Sequence, residues 1–206
     1  MTIPQGGTSP IGRVGLLTPS ITATYDKPAD ATQYALGDII GNSLTAASVT
    51  PITFANAVRF ANGSGRLNSC RCVVTAASGT IVLPAFDLLV FVPAGGVIPA
   101  AAGAYPADNA VFNVSSAAMA QLVGVFSFAA DAWRNQAGGA TAAGAAIWQA
   151  PKLAGNRVSA PFSLDGVSNL DGSACTSLVG VMQAQNTWNP GAVAQNFAFT
   201  LGVEQD

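Results

Sequence analysis

The side chains that could carry chemistry are few and scattered. Lys27 and Lys152 are the lysines, Glu204 is the one glutamate, and histidine is absent. Nucleophilic catalysis by serine or cysteine needs a base within reach, so without imidazole only a serine–lysine pair is left. Both lysines adjoin a proline, Pro28 and Pro151, in what reads as a polar turn, a poor setting for such a pair. Asp26, Asp30 and Asp38 lie close together in sequence, and paired carboxylates can cleave a glycosidic bond. Aspartate is also a standard turn and strand-end residue, and that is the stronger reading of all three.

Metal and cofactor signals are equally thin. The run from Asp165 to Gly172 offers oxygen ligands in a short loop, but its twelfth position is Thr176 rather than a bidentate glutamate, and two Asp-Gly hairpin turns explain it better. Cys70, Cys72 and Cys175 lack a fourth ligand and the two-residue spacing of a zinc knuckle. They are expected to be reduced thiols packed as small hydrophobes. Gly63-Ser64-Gly65 lacks the third glycine and following helix of a dinucleotide site, and no Gly-x-x-x-x-Gly-Lys loop occurs. Arg59, Arg66 and Arg71 read as ion-pair partners rather than a nucleic-acid surface. Trp133, Trp148 and Trp188 could stack on sugars, but tryptophan is more often a core or interface anchor. The expectation is no catalytic residue, no metal and no cofactor.

The elements that must position these residues are strands. Ile21, Ala23 and Tyr25 share one face of a first strand, and a short buried run follows at Asp38–Gly41. Val58 and Phe60 alternate with Arg59 before Asn62-Gly63-Ser64-Gly65, which predicts a hairpin with the strand from Arg66 to Ala76. Phe86–Val92 is apolar on both faces, as a central strand would be, and Val123–Phe128 has the same character. Ser115 or Ser116 can cap a helix over Ala117–Leu122 ended by Gly124. Val158, Ala160, Phe162 and Leu164 alternate, Cys175–Gln185 reads as another strand, and Phe197, Phe199, Leu201 and Val203 form the apolar face of the last. The Ala/Gly tract Gly138–Ala146 has no readable period. Eight to ten short strands, one small helix and no βαβ alternation predict an all-β sandwich of jelly-roll type, spanning residues 20–206, with an extended N-terminal arm at residues 1–19.

Composition narrows the function classes. Of 206 residues only 18 are charged, half are hydrophobic and the formal net charge is -2. That balance gives no general attraction to nucleic acid or to an anionic membrane. The charge-free stretches Leu88–Ala107 and Asn109–Ala130 are interrupted by prolines, glycines and polar residues, so neither reads as a membrane span. Met1–Pro10 lacks the basic start and apolar run of a signal peptide, which predicts a protein kept in a cytosol. So little charge on a folded domain points to a surface covered by other subunits. Strands apolar on both faces point to a homo-oligomer.

Tyr25-Asp26-Lys27-Pro28-Ala29-Asp30, Tyr34, Gly37–Ser43, Arg59 with Asn62–Arg66, Asp108–Phe112 and Leu178–Val181 together resemble small virion structural proteins of tailed bacteriophages, over most of residues 21–205. The group is similar to capsid decoration, or cement, proteins. The resemblance implies a non-enzymatic β-sandwich or jelly-roll trimer, assembled in the host cytoplasm, that binds the major capsid protein on the outer head lattice. A tail, baseplate or fibre component is the alternative within virions, and a carbohydrate-binding β-sandwich the alternative outside them.

Overall fold

The computed structural model describes residues 19–45, 49–93, 106–113, 115–135, 146–156, 159–165, 167 and 174–205. Its strands are β1 (Ser20–Lys27), β2 (Ile52–Phe54), β3 (Ser64–Thr75), β4 (Phe86–Phe91), β5 (Leu122–Phe128), β6 (Arg134–Asn135), β7 (Ala146–Gln149), β8 (Ala160–Ser163), β9 (Leu178–Ala184) and β10 (Gln195–Gln205). One sheet runs β1-β10-β3-β7-β6, with β8 also on β3, and the other runs β2-β9-β4-β5. The order nests the chain: first strand with last, second with second-last, β3 with β7 and β8, β4 with β5, all antiparallel. A long hairpin rolled into two facing sheets gives this order, so the sandwich is a jelly roll.

The interior follows from period-two alternation. Phe197, Phe199, Leu201 and Val203 are fully buried along β10, between β1 and β3. Across the sandwich Phe199 meets Phe54 edge-on at 6.4 Å, and Phe86 stacks on Phe128 at 4.6 Å and meets Phe197 and Phe199 edge-on at 5.7 and 6.1 Å. Each buried phenylalanine contributes about 1.5–3 kcal/mol of transfer free energy before the geometry of the ring pairs is counted.

β4 is central, between β5 and β9, as its two apolar faces require. Leu88 and Val90 face the main core, while Leu89 and Phe91 join a second cluster with Ile39, Phe112, Val179 and Val181. Leu122 and Val125 of β5 pack against that cluster half-buried. Both faces of β4 are therefore covered within one chain, whereas the outer face of β5 is only partly covered, and the pattern of β4 does not by itself call for a second copy.

Three boundaries differ from the sequence reading. Val58–Phe60 forms no hairpin with β3. Asn56 and Asn62 adopt left-handed backbone, Val58 N–H donates to the Thr176 carbonyl and Asn62 N–H to the Cys175 carbonyl, so this segment is a loop pinned to the approach of β9. The helix is only Ser116–Met119, capped by the Ser115 hydroxyl on Ala118 N–H at 3.1 Å. It ends early because β pairing takes the residues beyond it: Val92 N–H donates to the Gln121 carbonyl, and Gly124 lies inside β5 opposite Val90. A Cβ on Gly124 would come within 2.7 Å of Leu153 Cδ2, so close packing rather than helix termination explains this glycine. The strand read at Cys175–Gln185 is the shorter β9. Residues 1–18 of the expected arm, residues 94–105, most of the 138–146 tract, and residues 166 and 168–173 of the Asp-Gly loop lie outside the described residues.

Candidate functional site

One end of the sandwich interior is polar. In β1 the inward face of Ile21 and Tyr25 continues to Lys27, and in β10 the inward face of Phe197 and Phe199 begins at Gln195. Lys27 and Gln195 are register partners, each about 1% exposed. The reading of Lys27 as a polar-turn lysine is therefore corrected: strand parity sends its side chain into the core end.

Around Lys27 a network closes this end. Its Nζ donates to the Pro28 carbonyl at 2.9 Å and lies 5.6 Å from the centre of the Tyr34 ring. Tyr34 stacks on Trp188 at 5.4 Å and donates its hydroxyl to the Asp108 carboxylate at 2.8 Å. Asp108 Oδ1 also accepts from Gly41 N–H at 2.6 Å. That approach requires glycine at 41, because a Cβ there would sit 2.8 Å from Asp108 Cβ. Burial lowers the Lys27 pKa, opposed by the charges of Asp108 and Asp30. Burial raises the Asp108 pKa, opposed by the Gly41 and Tyr34 hydrogen bonds and by Lys27. Tyr34 is pushed up by burial and then by the neighbouring Asp108 charge. With its ammonium engaged and shielded from solvent, Lys27 acts here as a plug rather than an accessible nucleophile.

Beside this plug a cleft of about 500 Å3 opens at the strand tips, walled by the ends of β1 and β3, the start of β10 and Asn42. Within its wall, Asp26 accepts from Asn196 Nδ2 at 2.6 Å, while Asn42 exchanges hydrogen bonds with Thr50. Gln195 is different, for both its side-chain oxygen and its side-chain nitrogen are buried without a hydrogen-bond partner among the described residues.

The other residues singled out by sequence do separate local work. Asp30 is exposed and accepts from Thr32 N–H and Oγ1, bonds that lower its pKa. Asp38 accepts from Ala35 N–H at 2.6 Å inside a tight turn. Asp26, Asp30 and Asp38 thus serve a strand end, a loop and a turn, not one paired centre. Lys152 is exposed beside Pro151. Cys70, Cys72 and Cys175 are buried free thiols whose pKa values burial raises. Arg66 and Arg71 share the outer face of β3 despite their odd spacing, because a bulge at Asn68, opposite the Gly202–Val203 step, shifts the alternation. Arg59 lies apart on the 55–62 loop, 5.4 Å from the Phe60 ring. Trp133 and Trp188 are buried anchors donating Nε1–H to the Pro84 and Val82 carbonyls, and Trp148 is half-buried on β7 between Val73 and Arg134.

Tyr34, Asp108 and Gln195 were not candidates in the sequence. Gln195 and Lys27 carried a usable signal, since each continues an inward-facing apolar series. Asp108 carried none, because 74 residues separate it from Tyr34.

No protein-family model matches the chain, and no curated protein matches it. Thirteen chains of solved structures do. One is from the structure of deformed wing virus carrying the GFP gene, at 10% identity, a TM-score of 0.24, and coverage of 91% of this chain and 44% of that one. This chain thus spans under half the length of that one, and a likeness so distant carries no argument; the jelly-roll assignment rests on the strand order alone.

Proposed function

We propose that this chain is a non-enzymatic bacteriophage virion protein of the decoration, or cement, kind, which binds the major capsid protein on the outer head lattice and stabilises the shell by bridging subunits. The observation that carries the reading is where the exposed apolar side chains sit. Leu36, Leu44, Phe60, Val82, Leu83, Val111 and Met119 are the large apolar residues exposed among the described residues, and none lies in a strand. Leu36 and Phe60 are 72% and 67% exposed. The sandwich buries its own strands, while its loops and short helix present apolar side chains on a chain that is only 9% charged. Loop-borne apolar contacts on a rigid scaffold suit a docking subunit. A jelly roll is compatible with capsid, lectin and other roles, so the fold does not choose among them. Burial of Trp133 and Trp188 weighs against the sugar-binding alternative.

In this reading the same loops support self-association as a trimer on the shell, and the protein is made in the host cytoplasm and ends on the capsid surface. The test is electron microscopy of particles carrying the labelled protein, with heat rupture of particles lacking it. Label on heads and earlier rupture of depleted particles are expected. Label on tails with unchanged shell stability would replace this reading with a tail role.

A further inference from the structure

We infer that the outer face of the larger sheet, around Trp148, is a binding site for a polysaccharide carrying uronic acid units: the indole takes the flat side of one pyranose, and Arg134 and Arg71 take carboxylates beside it. This goes beyond the shell reading and does not depend on it.

Strand parity brings the three side chains together. In β7 Ile147 and Gln149 are buried, so Trp148 turns outward and stays half-buried. Its register partners are Val73 of β3 on one side and Arg134 of β6 on the other. Register partners share a face, with Cβ atoms about 5 Å apart. Arg71 lies two positions before Val73, between the buried Cys70 and Cys72, which makes it a diagonal neighbour of Trp148 at about 7–8 Å. Both arginines are exposed. Among the described residues neither guanidinium is held in an ion pair or hydrogen bond, Asp131 near Arg134 in sequence included, and no ring or cation covers the indole. The carboxylates on this face are placed elsewhere: Asp26 accepts from Asn196, and Glu204 lies opposite Arg66. Two cations therefore flank one open ring on a chain of formal net charge -2.

The chemistry of the ligand follows from that arrangement. An indole offers the C–H groups on one side of a pyranose a flat apolar surface. A uronic acid carries its carboxylate at the rim of the ring, so the cation receiving it must stand beside the indole rather than over it, as Arg134 and Arg71 do. A guanidinium takes a carboxylate through two parallel N–H bonds. The strands of the two arginines are two spacings apart, about 10 Å, which is close to the length of a disaccharide and lets one chain engage both. Toward β10 and β1 the face continues in Thr200, opposite Arg71, and Thr22, opposite Thr200, whose hydroxyls suit a polyhydroxy chain. Single-stranded nucleic acid fits less well, since successive bases need a series of rings and Trp148 is the one aromatic side chain on this face among the described residues.

The probe is trigalacturonic acid, titrated into the full chain while the Trp148 indole N–H is followed by NMR, identified by its loss in Trp148→Leu. A saturable shift is expected, with affinity falling as salt is raised. The methyl ester of the same trisaccharide, which has the shape without the charge, should bind about tenfold more weakly. By calorimetry, Trp148→Leu and Arg134→Gln should each weaken binding by about tenfold, the scale of one charge-assisted contact, while their unfolding midpoints stay near the parent's. Should Trp148→Leu fail to fold, Arg134→Gln, at an exposed position of the edge strand, carries the test. The proposal is overturned by the absence of a saturable shift, by equal affinity for the methyl ester, by undiminished binding in the folded variants, or by preference for poly-glutamate or oligothymidylate, which would assign the face to an acidic peptide or a nucleic acid.

Discussion

Phe86 and Phe199 meet edge-on, ring centres 6.1 Å apart, across the two sheets of the sandwich. The pair joins β4, central in one sheet, to β10, which lies between β1 and β3 in the other. Phe199→Ala should therefore cost about 3–5 kcal/mol of folding stability, read from urea unfolding. Phe197→Ala should cost a similar amount, as it too is fully buried against Phe86.

Gly65 tests close backbone approach. A Cβ at this position would lie 2.6 Å from the Glu204 carbonyl oxygen, a backbone atom of the neighbouring strand that cannot swing aside. Gly65→Ala should destabilise the fold by about 1–3 kcal/mol, measured by thermal melting.

Asp108 should give a stability change with a defined sign. Its pKa in the fold lies above the ordinary 3.8, so between those values the folded chain holds more protons than the unfolded one. Stability then falls as pH rises through that window. Asp108→Asn keeps an acceptor for the Tyr34 hydroxyl and removes this fall. Urea midpoints of the two proteins, taken from about pH 3 to pH 6, should show the parent declining relative to the variant.

Lys27 should behave in the opposite direction. Its pKa in the fold is below the ordinary 10.5, so the unfolded chain binds the proton more tightly, and stability rises as pH climbs through the folded value toward 10.5. Lys27→Met retains the apolar stem and removes the titration. The variant's advantage over the parent should be greatest near neutral pH and shrink on the alkaline side, again in urea midpoints.

The exposed loop residues separate folding from docking. Leu36→Ser and Phe60→Ser touch no core contact and should change folding stability by no more than about 0.5 kcal/mol. Co-sedimentation with particles should nevertheless weaken for both. Undiminished co-sedimentation would remove the observation on which the shell reading rests.

The strands of this protein were legible in its residues because side-chain alternation is local: Phe197 to Val203, Ile21 to Tyr25 and the two-faced run at Phe86 each declare their burial within a few positions. The same alternation, carried one step further, places Lys27 and Gln195 inside. What only the tertiary structure decided are relations between distant segments. The loop at 55–62 was taken from the expected hairpin by carbonyls of Thr176 and Cys175. The helix was shortened by β pairing of the residues after it. The outer apolar face of β4 was met by Ile39 and Phe112 of the same chain. Asp108 and Tyr34, 74 positions apart, became one hydrogen-bonded pair. Periodicity records which way a side chain turns, whereas its partner depends on how the whole chain is rolled.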